Sequence, residues 1–211
     1  KRSRPVMLCL LPQVTDGYPL CTGDPLTIFL PACIFFLLSN KMSYPLRMRI
    51  LWSDMMRDGG LWHIARCELG RRAVPAHDHD YFEFFWVEEG QGTHHFRSRR
   101  ERLEPGHLCF ILPHDYHKVT PDPRLGLTAV NVALEADHVR QLERRYGKET
   151  VWPWRATPAV YALQPATVKE LQALVLDLAT MDQRSAVLDG VLLRLLGLLE
   201  RDQRARADAA P

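Results

Sequence analysis

From Leu61 onward, short apolar or alternating runs recur between Gly and Pro punctuation, and then the hydrophobic period changes. WHIARCEL (62–69) reads as a strand, as does the aromatic YFEFFWVEE (81–89), which Gly90-Gln91-Gly92 closes with a turn. THHFRS (93–98) predicts another strand, turned back at 98–100, and Pro105-Gly106 marks a further tight turn. LCFIL (108–112) is a short buried strand stopped by Pro113, and LGLTAVNVAL (125–134) is a longer one. Short strands at regular spacing with this punctuation predict an all-β sandwich or barrel.

After Glu135 the period becomes helical. A short helix is predicted over 136–146, ended by Gly147, followed by a loop or extended stretch over 148–165 that contains Trp152-Pro153-Trp154. Val168, Leu171, Leu174, Val175, Leu178 and Met181 fall at helical spacing, as do Leu188, Val191, Leu192, Leu195, Leu198 and Leu199. The second set forms a broad leucine stripe, with Gly190 and Gly197 seven residues apart. Two uses suit it: packing on the barrel, or pairing with the same helices of a second chain. The breadth of the stripe favours the second, a homodimer.

The chemistry concentrates in GRRAVPAHDHDYFEFFWVEEG (70–90). His77 and His79 are two apart and Glu83 lies four further on. Residues at even separations along one strand share a face, so these three can project into one cavity. His117, in PHDYH, follows the 108–112 strand and can lie beside them in a closed barrel. Three neutral imidazoles and a carboxylate suit one divalent transition metal of the Fe, Mn, Ni, Cu or Zn group, with positions left for water or a ligand. The same residues also suit direct hydrogen bonding to an organic ligand. Phe85 shares parity with Glu83 and either lines the pocket or packs in the core, whereas Phe82, Phe84 and Trp86 face outward, toward the helices. His94 and His95 point to opposite faces, so at most one looks inward. Arg99, Arg100 and Arg102 are most simply a solvated hairpin tip. Trp152 and Trp154 either dock on the body or cover the barrel mouth.

Composition narrows the class. The 211 residues are 46% hydrophobic and 25% charged, with a net charge of +2, which excludes the strong basic footprint of a dedicated nucleic-acid-binding domain. Five scattered cysteines without C-x2-C spacing argue against a disulfide framework or zinc ribbon and for reduced thiols in a cytoplasmic protein. The apolar run at 26–38 is short for a membrane span and contains Pro31, so no membrane association is expected. Residues 1–48 lack periodicity and read as a poorly structured leader, with Met42 or Met48 as a natural start. The remaining boundaries are a β-barrel over 49–136 and a helical segment over 137–211.

G-x6-H-x-H-x3-E-x6-G (70–90) is similar to the first motif of the cupin family, and Pro105-Gly106, Pro113 and His117 resemble the second. The asparagine that closes that second motif has no counterpart, since Val119, Thr120 and Pro121 occupy its place. The finer resemblance, over about 50–200, is to the N-terminal sensor domain of AraC-type transcription regulators. PAHDHDYFEFFWVEEGQGTHHF, LEPGHLCFILPHDYHKV and LTAVNVAL carry it, with chitobiose-type and other sugar-responsive regulators as the nearest subgroup. The resemblance implies a cupin (jelly-roll) barrel followed by an α-helical pair, a small polar effector such as a sugar, dimerisation, and DNA binding only through a C-terminal module outside this chain. Its ligand-binding residues would be His77, His79, Glu83, Phe85 and His117, with no catalytic residue. A free-standing cupin metalloenzyme of the dioxygenase or sugar isomerase type is the alternative, and a metabolite-binding module without further output is a third.

Overall fold

The computed structural model describes residues 48–56, 59–96, 98–147, 152–155 and 160–208. Apart from Met48, the expected leader lies outside the described residues. Two five-stranded sheets lie face to face. The first orders its strands β1 (Met48–Ile50), β3 (Val74–His79), β8 (His117–Pro121), β5 (Gly92–Phe96) and β6 (Arg99–Leu103). The second runs β10 (Val160–Ala162), β7 (His107–Ile111), β4 (Phe82–Gly90), β9 (Leu127–Leu134) and β2 (Trp62–Gly70). The chain passes back and forth between the sheets, in the manner of a jelly roll. A single helical turn, α1 (Trp52–Met55), links β1 to β2.

Alternation along the strands divides the molecule into two cores. Phe85, Val87, Cys109, Ile111 and Ala129 point between the sheets and meet Phe96, Leu103 and Val119 from the other side. The intervening Phe82, Phe84, Trp86, Leu108, Phe110, Val130 and Val132 point outward into a second, larger core. The helices α2 (Ala136–Tyr146), α3 (Pro165–Thr180) and α4 (Ser185–Asp208) supply the other side of that core. No helix among the described residues is long and apolar enough to cross a membrane.

The leucine stripe is spent within the chain. Leu188, Leu192, Leu195, Leu198 and Leu199 are each at most 3% exposed, packed with Leu171, Leu174 and Leu178 of α3 against the outer face of the second sheet. Full burial of each such side chain stabilises the fold by about 1.5–3 kcal/mol, so this face of α4 is not available to a second chain. The breadth that favoured a dimer reflects how much aromatic surface that sheet presents. Trp152 and Trp154 dock in the same core, with Trp154 against Phe82 and Phe110, rather than over the barrel mouth.

Polar ties fix the helices to the barrel. Gln183, between α3 and α4, accepts hydrogen bonds from the amides of Leu61 and Trp62 and donates to the Trp62 carbonyl. His138 of α2 meets Asp189 of α4 at 2.8 Å. Glu135 caps α2 by accepting from the amides of Asp137 and His138.

Three strands depart from the sequence expectations. β10 lies in the stretch expected to be loop or extended, and its three residues are too few to show a period. β8 places His117, Val119 and Pro121 inward, a true alternation hidden by its polar start and terminal proline. β6 begins at Arg99, so Arg100 and Arg102 stand on a paired strand rather than at a hairpin tip.

Candidate functional site

His77 and His79 end β3, and the backbone bends at Asp80 before β4 begins in the opposite sheet. The expected single strand through His77, His79 and Glu83 is therefore broken. Parity does not unite them; the corner does, because it carries Glu83 across to face the histidines from the other sheet. His117, the first residue of β8, pairs directly with His77, and Phe96 of β5 pairs with His117 on its other side. Asp78, fully buried, holds Arg49 of β1 at 2.8 Å, and Asp80 accepts from the Trp52 amide at 2.7 Å, which anchors the corner.

Of the four polar residues singled out by sequence, His79, Glu83 and His117 converge. The donor atoms of His79, Glu83 and His117 all lie within 4.8 Å of one another, and His79 Nε2 is 3.3 Å from Glu83 Oε2. His77 is set slightly apart, its ring centroid 4.3 Å from that of His117 and 6.1 Å from that of His79. Phe85 belongs to the apolar interior beside them and meets His94 edge-on at 5.4 Å.

Each histidine of the set is held through Nδ1. His77 Nδ1 meets the Pro75 carbonyl at 2.9 Å, His79 Nδ1 meets the Tyr81 carbonyl at 2.8 Å, and His117 Nδ1 meets His94 Nε2 at 3.2 Å. A carbonyl accepts only from an N–H, so His77 and His79 carry their proton on Nδ1 and present an unprotonated Nε2. Nε2 of both His79 and His117 is buried without a hydrogen-bond partner. A buried polar atom left unpaired costs about 1–3 kcal/mol. Two such atoms beside a carboxylate fit a metal ion, whose ligating histidines are usually fixed through the second ring nitrogen.

Burial sets the protonation states. Desolvation pushes His79 down to about 3 and His94 down to about 4, and it lowers His77 and His117 as well. The imidazoles are thus neutral, the form that binds metal. Desolvation raises Glu83 to about 7, opposed by a hydrogen bond from Asn131. A cation in the cluster would pull it back down, since a nearby positive charge favours the carboxylate.

Three contributors escaped the sequence reading. His94 is fully buried and is the inward member of the His94–His95 pair. Its alternation with His95 was visible, but its contact with His117 depends on the unrecognised β8. Asn131 sits on β9 opposite Phe85. Tyr81 stacks on His79 at 4.1 Å between centroids.

Residues 59–208 match the family described as the AraC-like ligand binding domain. The chain belongs to this family. Among curated proteins, this AraC-like domain is similar to the HTH-type transcriptional activator RhaS of Yersinia pestis, 41% identical over 58 residues. That match covers 28% of this chain and 21% of the activator. RhaS of Yersinia pseudotuberculosis gives the same figures. Among solved structures, ToxT K231A of Vibrio cholerae shares the fold at TM-score 0.50 and 9% identity, over 70% of this chain and 57% of that one. The AraC-like domain thus spans only part of the regulators it matches.

Proposed function

We propose that this AraC-like domain is the effector-sensing part of a transcription regulator, and that it holds its effector at a divalent transition metal ligated by His77, His79, Glu83 and His117. The family match supports the sensor role. The observation that supports the metal is the pair of unpartnered, buried Nε2 atoms on His79 and His117, each ring fixed through its other nitrogen, beside Glu83. The chemistry the metal would supply is Lewis-acid attraction for an oxygen ligand, without turnover. A small polar metabolite with adjacent oxygens, such as a sugar, suits that role, with Phe85 as an apolar wall.

The rest of the regulator's work belongs to other surfaces. The apolar faces of α3 and α4 are buried on the barrel, so neither is a recognition helix, and specific DNA contact is assigned to a separate module. Homodimerisation through the C-terminal helices is part of the same proposal. It must use the outer side of α4, where Gly190 has open space around it, because the leucine side is occupied.

The test is elemental analysis of protein purified without chelator, with His79→Ala and His117→Ala alongside. One transition metal per chain, lost from both variants, supports the proposal; a metal-free wild type under metal-replete growth overturns its metal part. The second reading, a cupin metalloenzyme, draws on the same His79, Glu83 and His117 set. Metal-dependent turnover of a sugar or oxygenated substrate by the loaded protein would favour it over the sensor.

A further inference from the structure

The outer face of the histidine-bearing sheet carries a charge pattern that folding does not account for. β8, β5 and β6 lie side by side, and Lys118, His95 and Arg100 stand abreast on them in direct register. Lys118 and Arg100 each pair across the ladder with His95, so the two cations flank one imidazole on three adjacent strands. On the barrel, Arg49, Arg66 and Arg102 each meet a carboxylate, whereas the turn residues Arg71, Arg72 and Arg124 show no ion pair among the described residues. Among the described residues, Lys118, Arg99 and Arg100 meet none within ion-pair distance. The chain's net charge is only +2, so the row is a local concentration and not a general excess.

The row borders a cleft of about 280 Å³, lined by Lys118, His95, Arg99, Arg100, Tyr116 and His117 among others. His117 belongs both to this lining and to the interior cluster. The cleft is therefore concave, cationic, near the size of a small-molecule site, and borders, at His117, on the proposed metal centre.

We propose that this cleft binds the phosphate or carboxylate of a small metabolite, with Arg100, Lys118 and Arg99 as its charged donors. Guanidinium groups pair with such anions through two parallel hydrogen bonds. This assigns the effector class as an acidic or phosphorylated polar metabolite. That assignment rests on the sensor proposal above; the anion site does not. A nucleic-acid backbone offers the same phosphate chemistry, but a concave cleft that shares His117 with the interior fits a small molecule better.

The test uses the full chain, stripped of metal by chelator and then freed of chelator, at fixed ionic strength. Inorganic phosphate, glucose 6-phosphate, glucose and a double-stranded DNA are titrated and followed by amide NMR. Saturable shifts at His95, Arg99, Arg100 and Lys118 are expected with phosphate and glucose 6-phosphate, and none with glucose. Arg100→Gln with Lys118→Gln should weaken phosphate at least about ten-fold, the loss expected for charged hydrogen bonds. The same variant should melt at an unchanged temperature, because neither side chain meets a carboxylate in the fold. Arg100→Gln alone provides the same readout if the double variant does not fold. Absence of saturation, or phosphate binding unchanged in the variants, overturns the proposal. So does saturation by DNA without saturation by either phosphate compound. His79→Ala should lose metal yet keep phosphate, and Arg100→Gln should do the reverse, so the two proposals fail separately.

Discussion

His94 Nε2 lies 3.2 Å from His117 Nδ1, both rings buried, and this contact turns the other nitrogen of His117 toward His79 and Glu83. One of the two nitrogens holds the shared proton. When it sits on His117 Nδ1, Nε2 of His117 is free to ligate.

His94 should therefore tune metal affinity without touching the metal. His94→Leu removes the acceptor and is expected to weaken metal binding about 10–100-fold, the usual cost of losing such a support. His94→Gln, which retains an acceptor oxygen, should recover part of the loss. Competition against a metal-binding dye measures both; equal affinities in all three proteins would show that His94 only fills space.

Acid should destabilise the metal-stripped protein. Burial holds His79 at about 3 and His94 at about 4, so the folded state binds fewer protons than the unfolded chain once pH falls below the ordinary histidine value. Each of these histidines then costs about 1.4 kcal/mol per pH unit as pH falls from about 6.5 toward its folded value. Glu83, raised to about 7, works in the opposite direction between about 4.5 and 7, but it is one group against several. Urea midpoints between pH 7 and pH 5 should fall. A flat or rising profile would show that the cluster is not buried as described.

Leu195 distinguishes folding from association. It is 1% exposed inside the chain's own core. Leu195→Ala should lower unfolding free energy by about 2–5 kcal/mol at any protein concentration. Loss of dimer at unchanged monomer stability would place Leu195 in a subunit interface instead.

Gly90 tests the barrel end. It has φ +78°, and an added Cβ would lie 2.2 Å from the Gly126 carbonyl oxygen. Gly90→Ala should destabilise by well over the roughly 1 kcal/mol of backbone strain alone, since the clashing atom is backbone. Thermal denaturation within a degree or two of wild type would contradict this.

Much of this was legible in the sequence, and what was not depended on bends, polar strands and tertiary area. The residues of the cluster were found by type and spacing, and the outward Phe82, Phe84 and Trp86 were assigned correctly by alternation. The route by which His77 and Glu83 meet was not legible, because the bend at Asp80 converts a same-strand argument into a cross-sheet one. β6 and β8 were missed because Arg99–Leu103 and His117–Pro121 are polar strands, half in water, with little apolar contrast to reveal their period. Losing those two strands hid both the contact of His94 with His117 and the row formed by Lys118, His95 and Arg100. The leucine stripe of α4 was seen, but the area of sheet waiting to receive it is a tertiary quantity that no local pattern states.

Anomalous diffraction from crystals grown in the presence of zinc or nickel shows whether His77, His79, Glu83 and His117 hold a metal. The account predicts one anomalous peak per chain, bonded to Nε2 of the three histidines and to the Glu83 carboxylate. Full-strength data with no peak among these residues, or with the peak at surface histidines alone, would contradict it.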